Sequence, residues 1–184
     1  PNVTGVQTCA LPIYRHMGRG LHRSDAVFRE HVDKGLALLA GKLDVDLREV
    51  WLGDAMTADE VERAFDRPSV QLPAIFLTEY ALAQSWKARG VEPAALLGHS
   101  LGENTAACLA GVFSFEDALR LVTLRGQLFE RITGGGMVSV PLSAEQCRTY
   151  LSGNLDLATI NAPELCVVSG PDAELDAFAA RLAE

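Results

Sequence analysis

The chain has 184 residues, 48% of them hydrophobic and 22% charged, with a net charge of −8. That length holds one domain with at most a small appendage, and the apolar share is enough for a packed core. The acidic balance argues against a nucleic-acid binder, no apolar run is long enough to span a bilayer, and Cys9, Cys108, Cys147 and Cys166 lack the spacing of a metal knuckle or redox pair.

Residues 1–13 show no helical or strand period. Their Val3-Thr4-Gly5-Val6-Gln7-Thr8-Cys9 stretch resembles the translation of a sequencing-library adapter, so they are set aside as a non-native leader. Ser24 is placed to cap a helix running to about Ala40, with Phe28, Val32, Leu36 and Leu39 on one face. Residues 47–52 make one or two helical turns. Thr57 and Glu60 form a capping box for a helix that stops before Pro68. Gln71-Leu72-Pro73 opens the next helix, with Phe76, Tyr80, Ala83 and Trp86 at helical spacing and Gly90 as its stop.

Residues 94–97 are an unbroken apolar run and read as a buried strand. Gly98-His99-Ser100-Leu101-Gly102 follows, and then a small, helix-compatible stretch up to Gly111. Strand, sharp turn, helix is the setting of a nucleophile elbow. Glycine on both flanks of Ser100 is expected to avoid collisions with the strand and the helix. Such a turn lifts the Ser100 hydroxyl clear. It also aims the Leu101 N–H and the helix N-terminus at the point where an oxyanion would develop. The alternation of helix, strand and helix points to an open parallel sheet.

Ser114 caps a helix from Phe115 to about Ile132, whose apolar stripe is Ala118, Leu121, Val122, Leu124, Leu128, Phe129 and Ile132. Arg125 falls inside that stripe. A guanidinium there needs an anion, either a structural carboxylate or one carried by a substrate, and periodicity alone favours the structural pair. Gly134-Gly135-Gly136 lacks the lysine and preceding strand of a phosphate loop and reads as a flexible joint. Beyond it come a strand at 137–142, a helix at 145–151, strands at 155–160 and 165–170, and a helix from Asp172. That order is an incomplete ferredoxin-like β-α-β-β-α unit. The expected fold is therefore α/β: a leader 1–13, an α/β-hydrolase-like parallel-sheet core with its serine elbow at 14–133, and a partial ferredoxin-like subdomain at 137–184.

A serine nucleophile needs a base, and in elbow enzymes the base histidine follows the serine. His16, His22, His31 and His99 all precede or adjoin Ser100. Either the chain is not a serine enzyme or its base lies further on; the unfinished ferredoxin-like unit favours the second.

Taken together, several segments resemble the acyltransferase domain of type I polyketide synthases, kin to malonyl-CoA:acyl-carrier-protein transacylases. They are Gly98-His99-Ser100-Leu101-Gly102-Glu103, Ala107-Cys108-Leu109-Ala110-Gly111-Val112, Leu124-Arg125-Gly126, Gly136-Met137-Val138-Ser139-Val140, and Asn161-Ala162-Pro163 through Val167-Val168-Ser169-Gly170-Pro171. Gln71-Leu72-Pro73-Ala74-Ile75-Phe76 is similar to the family's Gln-Pro-Ala-Leu-Phe stretch with one leucine inserted. The resemblance implies that Ser100 takes a malonyl-type acyl group from coenzyme A as an ester and passes it to the phosphopantetheine thiol of an acyl carrier protein. Leu101 N–H would be one oxyanion donor, and Arg125 would hold the acyl group's free carboxylate. Gln71, His99 and Asn161 match positions lining the site.

It further implies acyl-CoA, a carrier protein and other domains of a multidomain synthase as partners, no nucleic acid or membrane, no bound cofactor or metal, and a cytoplasmic location. The family's Gly-Gln-Gly-Ser-Gln loop and its catalytic histidine have no counterpart here. The chain is thus expected to be a fragment with little or no transfer activity of its own. A serine hydrolase or thioesterase, or a non-catalytic piece of a larger synthase, are the alternatives. Docking of an acidic carrier protein would call for a basic patch, for which Arg15, Arg19 and Arg23 are candidates.

Overall fold

The computed structural model describes residues 13–182. Most of the expected leader therefore lies outside the described residues; its last member, Ile13, is buried in the helical core. The described chain forms two compact units, 13–131 and 132–182.

The first unit is helical. Its elements are α1 (Arg19–Ser24), α2 (Ala26–Leu39), α3 (Leu47–Leu52), α4 (Ala58–Phe65), α5 (Pro68–Lys87), α6 (Gly102–Leu109) and α7 (Phe115–Phe129). Capping chemistry sets most of the boundaries. Thr57 and Glu60 satisfy each other's backbone in a capping box, and the Ser114 hydroxyl accepts from the Asp117 N–H. Asp25, not Ser24, caps α2: its carboxylate accepts from the Val27 and Phe28 amides. Ser24 is spent elsewhere, because it closes α1 and donates to the Gly20 carbonyl at 2.9 Å. Pro68, not the 71–73 stretch, opens α5, and Pro73 sits inside the helix. There it removes the one N–H that would have bonded the Ser69 carbonyl in the first turn.

α5 is the spine. α2 lays Phe28, Val32, Leu36 and Leu39 into the core as the periodicity requires, alongside Trp51, Val70, Phe76 and Leu77. α7 runs antiparallel to α5. Its start places Phe115 on Tyr80, with ring centroids 4.6 Å apart, and its end places Gly126 against Pro68 and Ser69. A methyl on Gly126 would sit 2.5 Å from the Pro68 carbonyl oxygen, so only glycine permits this approach. The buried face of α7 is accordingly Ala118, Leu119, Val122, Thr123 and Gly126. Leu121, Leu124, Leu128, Phe129 and Ile132 from the expected stripe are exposed. The close approach at Gly126 sets which face turns inward, whereas hydropathy alone pointed to a different stripe.

The expected parallel sheet is not present among the described residues. Residues 91–97 run without regular structure and are exposed, Leu97 at 98%. An apolar run becomes a strand only when a neighbour takes its N–H and C=O groups, and no described segment does so.

The second unit holds β1 (Gly135–Val140), α8 (Ala144–Tyr150), β2 (Asp156–Ala162), β3 (Leu165–Pro171) and α9 (Asp172–Leu182). Its sheet has the order β1-β3-β2, antiparallel throughout, with Val138 opposite Val168 and Ile160 opposite Cys166. Val138, Val140, Cys147, Cys166, Val168, Leu175 and Phe178 form its core. Gly135 and Gly136 belong to β1, paired with Pro171 and Gly170, so of the glycine triplet only Gly134 stays in the joint, at φ 76°.

Candidate functional site

The candidate site is built on the turn that enters α6. Ser100 has φ 53°, in the left-handed region that a side chain rarely adopts. Three backbone bonds close the turn, from Gly102 N–H to the His99 carbonyl at 3.0 Å, from Glu103 N–H to the Ser100 carbonyl at 3.3 Å and from Asn104 N–H to the Leu101 carbonyl at 2.9 Å. The flanking glycines differ in their duty. A methyl on Gly98 would lie 2.1 Å from the Glu103 nitrogen and 2.1 Å from the Gly102 carbonyl carbon, so the turn can fold onto α6 only without one. A methyl on Gly102 would meet nothing within 4 Å. The steric expectation therefore holds at Gly98 and fails at Gly102, whose Cβ direction faces open space.

Ser100 is exposed, and Leu101 beside it is buried in the helical core. The turn thus divides its two residues, one anchoring and one presented. Among the described residues the Leu101 N–H has no backbone or side-chain acceptor. It stands at the N-terminal end of α6, where the helix dipole favours negative charge. No described side chain hydrogen-bonds to the Ser100 hydroxyl, and His99 is exposed.

Arg125 lies half-buried on α7 with its guanidinium 5.3 Å from the centre of the Phe129 ring. No carboxylate pairs with it among the described residues, so the structural ion pair favoured by periodicity does not form. A guanidinium stacked on a ring keeps its N–H edge for a planar anion. Gln71 sits in the first turns of α5 and donates its amide to the Phe65 carbonyl. Because Gly126 packs on Pro68 and Ser69, Arg125 and Gln71 share one end of the α5–α7 pair. Asn161 lies in the other unit, on β2, where it accepts from the Thr159 hydroxyl at 2.5 Å.

Two of the three arginines considered for a basic patch are engaged. Arg15 donates to the Gly53 carbonyl at 3.2 Å, and Arg19 pairs with Asp54 at 2.8 Å. Cys108, Cys147 and Cys166 are buried free thiols, and burial pushes the Cys108 thiol up to about 11, which keeps it protonated and unreactive. No helix among the described residues is long and apolar enough to cross a membrane.

Sequence reasoning missed one pair beneath the site. The buried Thr105 of α6 donates to the Glu79 carboxylate of α5 at 2.6 Å. The signal was a polar residue on the otherwise apolar face formed by Leu101 and Cys108.

Helices, an antiparallel sheet and a serine presented at a helix N-terminus make this a mixed α/β domain organised around one exposed hydroxyl. Residues 14–184 match the family described as the acyl transferase domain, and the chain belongs to that family. It is 41% identical over 165 residues to the spectinabilin polyketide synthase system protein NorA' of Streptomyces orinoci, covering 87% of this chain and 4% of that protein. The solved acyl transferase domain of ZmaA superposes with a TM-score of 0.83 at 35% identity, covering 94% of this chain and 41% of that one. The malonyl CoA-acyl carrier protein transacylase of Clostridium perfringens superposes with a TM-score of 0.79 at 25% identity, covering 94% of this chain and 54% of that one. The chain thus spans about two-fifths to half of those solved structures and a small part of its polyketide-synthase relative.

Proposed function

We propose that this chain carries the nucleophile half of an acyltransferase that moves a malonyl-type group from coenzyme A to an acyl carrier protein. The turn at Ser100 is read as a nucleophile elbow, and the β-α-β-β-α unit as a ferredoxin-like subdomain. The single observation behind the reading is the left-handed serine, exposed at the start of α6 beside an unsatisfied Leu101 N–H. A strained non-glycine residue persists only where its surroundings over-determine it, and such residues cluster at reactive sites.

In the proposed cycle Ser100 Oγ attacks the thioester carbonyl. The Leu101 N–H receives the developing oxyanion, the carbon–sulfur bond breaks, and coenzyme A leaves as the thiol with the serine proton. The phosphopantetheine thiol of the carrier protein then attacks the ester, and Ser100 recovers its proton. Arg125 takes the distal carboxylate of the acyl group, the role its lack of a protein anion leaves open. Gln71 and His99 line the site in this reading. The proton must pass through a base. None of the described histidines hydrogen-bonds to Ser100, so no base is assigned among residues 13–182.

Mass spectrometry after incubation with malonyl-CoA tests the reading. The expected result is an 86-Da-class malonyl adduct of about that mass on Ser100, absent from Ser100→Ala and weakened in Arg125→Ala for malonyl-CoA but not for acetyl-CoA. An adduct that persists in Ser100→Ala would sink the assignment, and equal losses with both donors would remove Arg125 from it.

A further inference from the structure

We propose that Glu79 is a positioning residue for Ser100, acting through Thr105; this rests on reading Ser100 as the nucleophile. The turn at Ser100 is held from one side. Residues 91–97, which lead into it, are exposed and form no strand among the described residues. The left-handed backbone at Ser100 must therefore be maintained from α6.

α6 has only eight residues, too few to be stable as a helix without tertiary contacts. Its buried contacts are Leu101 at its cap, Thr105 and Cys108. Those positions are four and three residues apart, so they form one face. Thr105 is the middle of the three and the only one that makes a hydrogen bond to α5, through its Oγ1 to Glu79 Oε2 at 2.6 Å. The acceptor is a carboxylate on α5, the best-anchored helix of the unit, and a bond to a carboxylate is shorter and stronger than one between neutral groups.

Glu79 thereby fixes the height and rotation of α6. Those two quantities set where the Leu101 N–H points and how far the turn can relax. Without the bond, Glu79 is left half-buried with no donor, and α6 is free to rock on Leu101 and Cys108.

The experiment compares Thr105→Val, which keeps the shape and removes the hydroxyl, with Thr105→Ser, which restores it, and with Glu79→Leu. The full 184-residue chain is used. Amide hydrogen exchange is followed across residues 101–109, with α2 and α7 as internal controls. The rate of malonyl-Ser100 formation is followed against malonyl-CoA concentration. Thr105→Val and Glu79→Leu should each speed exchange in 101–109 about tenfold and lower the limiting acylation rate about tenfold. The half-saturating malonyl-CoA concentration should stay unchanged, and Thr105→Ser should recover both properties. Exchange in Thr105→Val equal to that of the parent, beside a parent that acylates, overturns the proposal alone. A failed rescue by Thr105→Ser does the same. If exchange rises but the parent forms no adduct, the nucleophile reading falls and takes the proposal with it.

Discussion

At Ser100 the chain keeps a side chain in a backbone conformation that usually belongs to glycine, and the two glycines beside it share the consequences unequally. Gly98→Ala would press a methyl into the backbone of α6, at 2.1 Å from the Glu103 nitrogen. The helix start must move, so the variant should lose about 2–4 kcal/mol of stability and all Ser100 labelling. Gly102→Ala meets open space and lies within α6, where alanine is the better helix former. It should be neutral or stabilising by up to about 1 kcal/mol and retain labelling. Urea denaturation of both variants checks the contrast, and an equal loss would show that the turn does not lean on Gly98 in the manner described. The Gly-x-Ser-x-Gly pattern was visible in the sequence, but the division of labour was not. Both glycines look alike in one dimension, and only the fold-back of 98 onto 102–103 distinguishes them.

Among the elements, α2 carries the clearest dependence on pH. The Phe28 amide, and then the Arg89 guanidinium at 2.7 Å, hold the Asp25 carboxyl down at about 2, against an ordinary value of 3.8. A carboxyl held low contributes stability that is complete above its unfolded value and is lost as pH falls through the folded one. The gap in urea midpoint between the parent and Asp25→Asn should therefore be open at neutral pH and close between about pH 4 and pH 2. A gap that stays constant to pH 2 would mean the carboxylate charge plays no part.

The α2 stripe and two of the caps were legible because they are local: Thr57 with Glu60, and Ser114 at the start of α7, each decide within one turn. The working face of α7 was not legible. It is chosen by how close α5 comes at Gly126, a distance that no window of sequence contains. For Arg125, the structural ion pair that periodicity alone favoured fails for the same reason. Its neighbours Leu121 and Leu128 are exposed, so the guanidinium was never in a site that demanded a structural anion.

For the whole molecule, the exposure of residues 94–97, unpaired in any sheet among the described residues, has a solution consequence. Leu97 is 98% exposed, and Trp86, Leu121, Leu124, Leu128 and Phe129 are exposed in the same unit. Apolar surface of that kind is unusual on an isolated soluble protein and invites self-association. Sedimentation of the 184-residue chain should show concentration-dependent oligomers, and Leu97→Lys should shift them toward monomer. A monomer at every concentration would count against the exposed run as a sticky edge. The α/β class and the β-α-β-β-α order were readable from the pattern of apolar residues. The parallel sheet was not obtained among the described residues, since an apolar run announces only that it can be covered, and the covering is non-local.

What is costly at position 100 is the posture of the backbone, not the atom at its tip. Leu101 and Gly98 would serve any short side chain there equally well. Exchanging oxygen for sulfur asks nothing new of the loop, so the scaffold is a mount for interchangeable warheads, and a thioester could form where the proposed cycle places an oxygen ester.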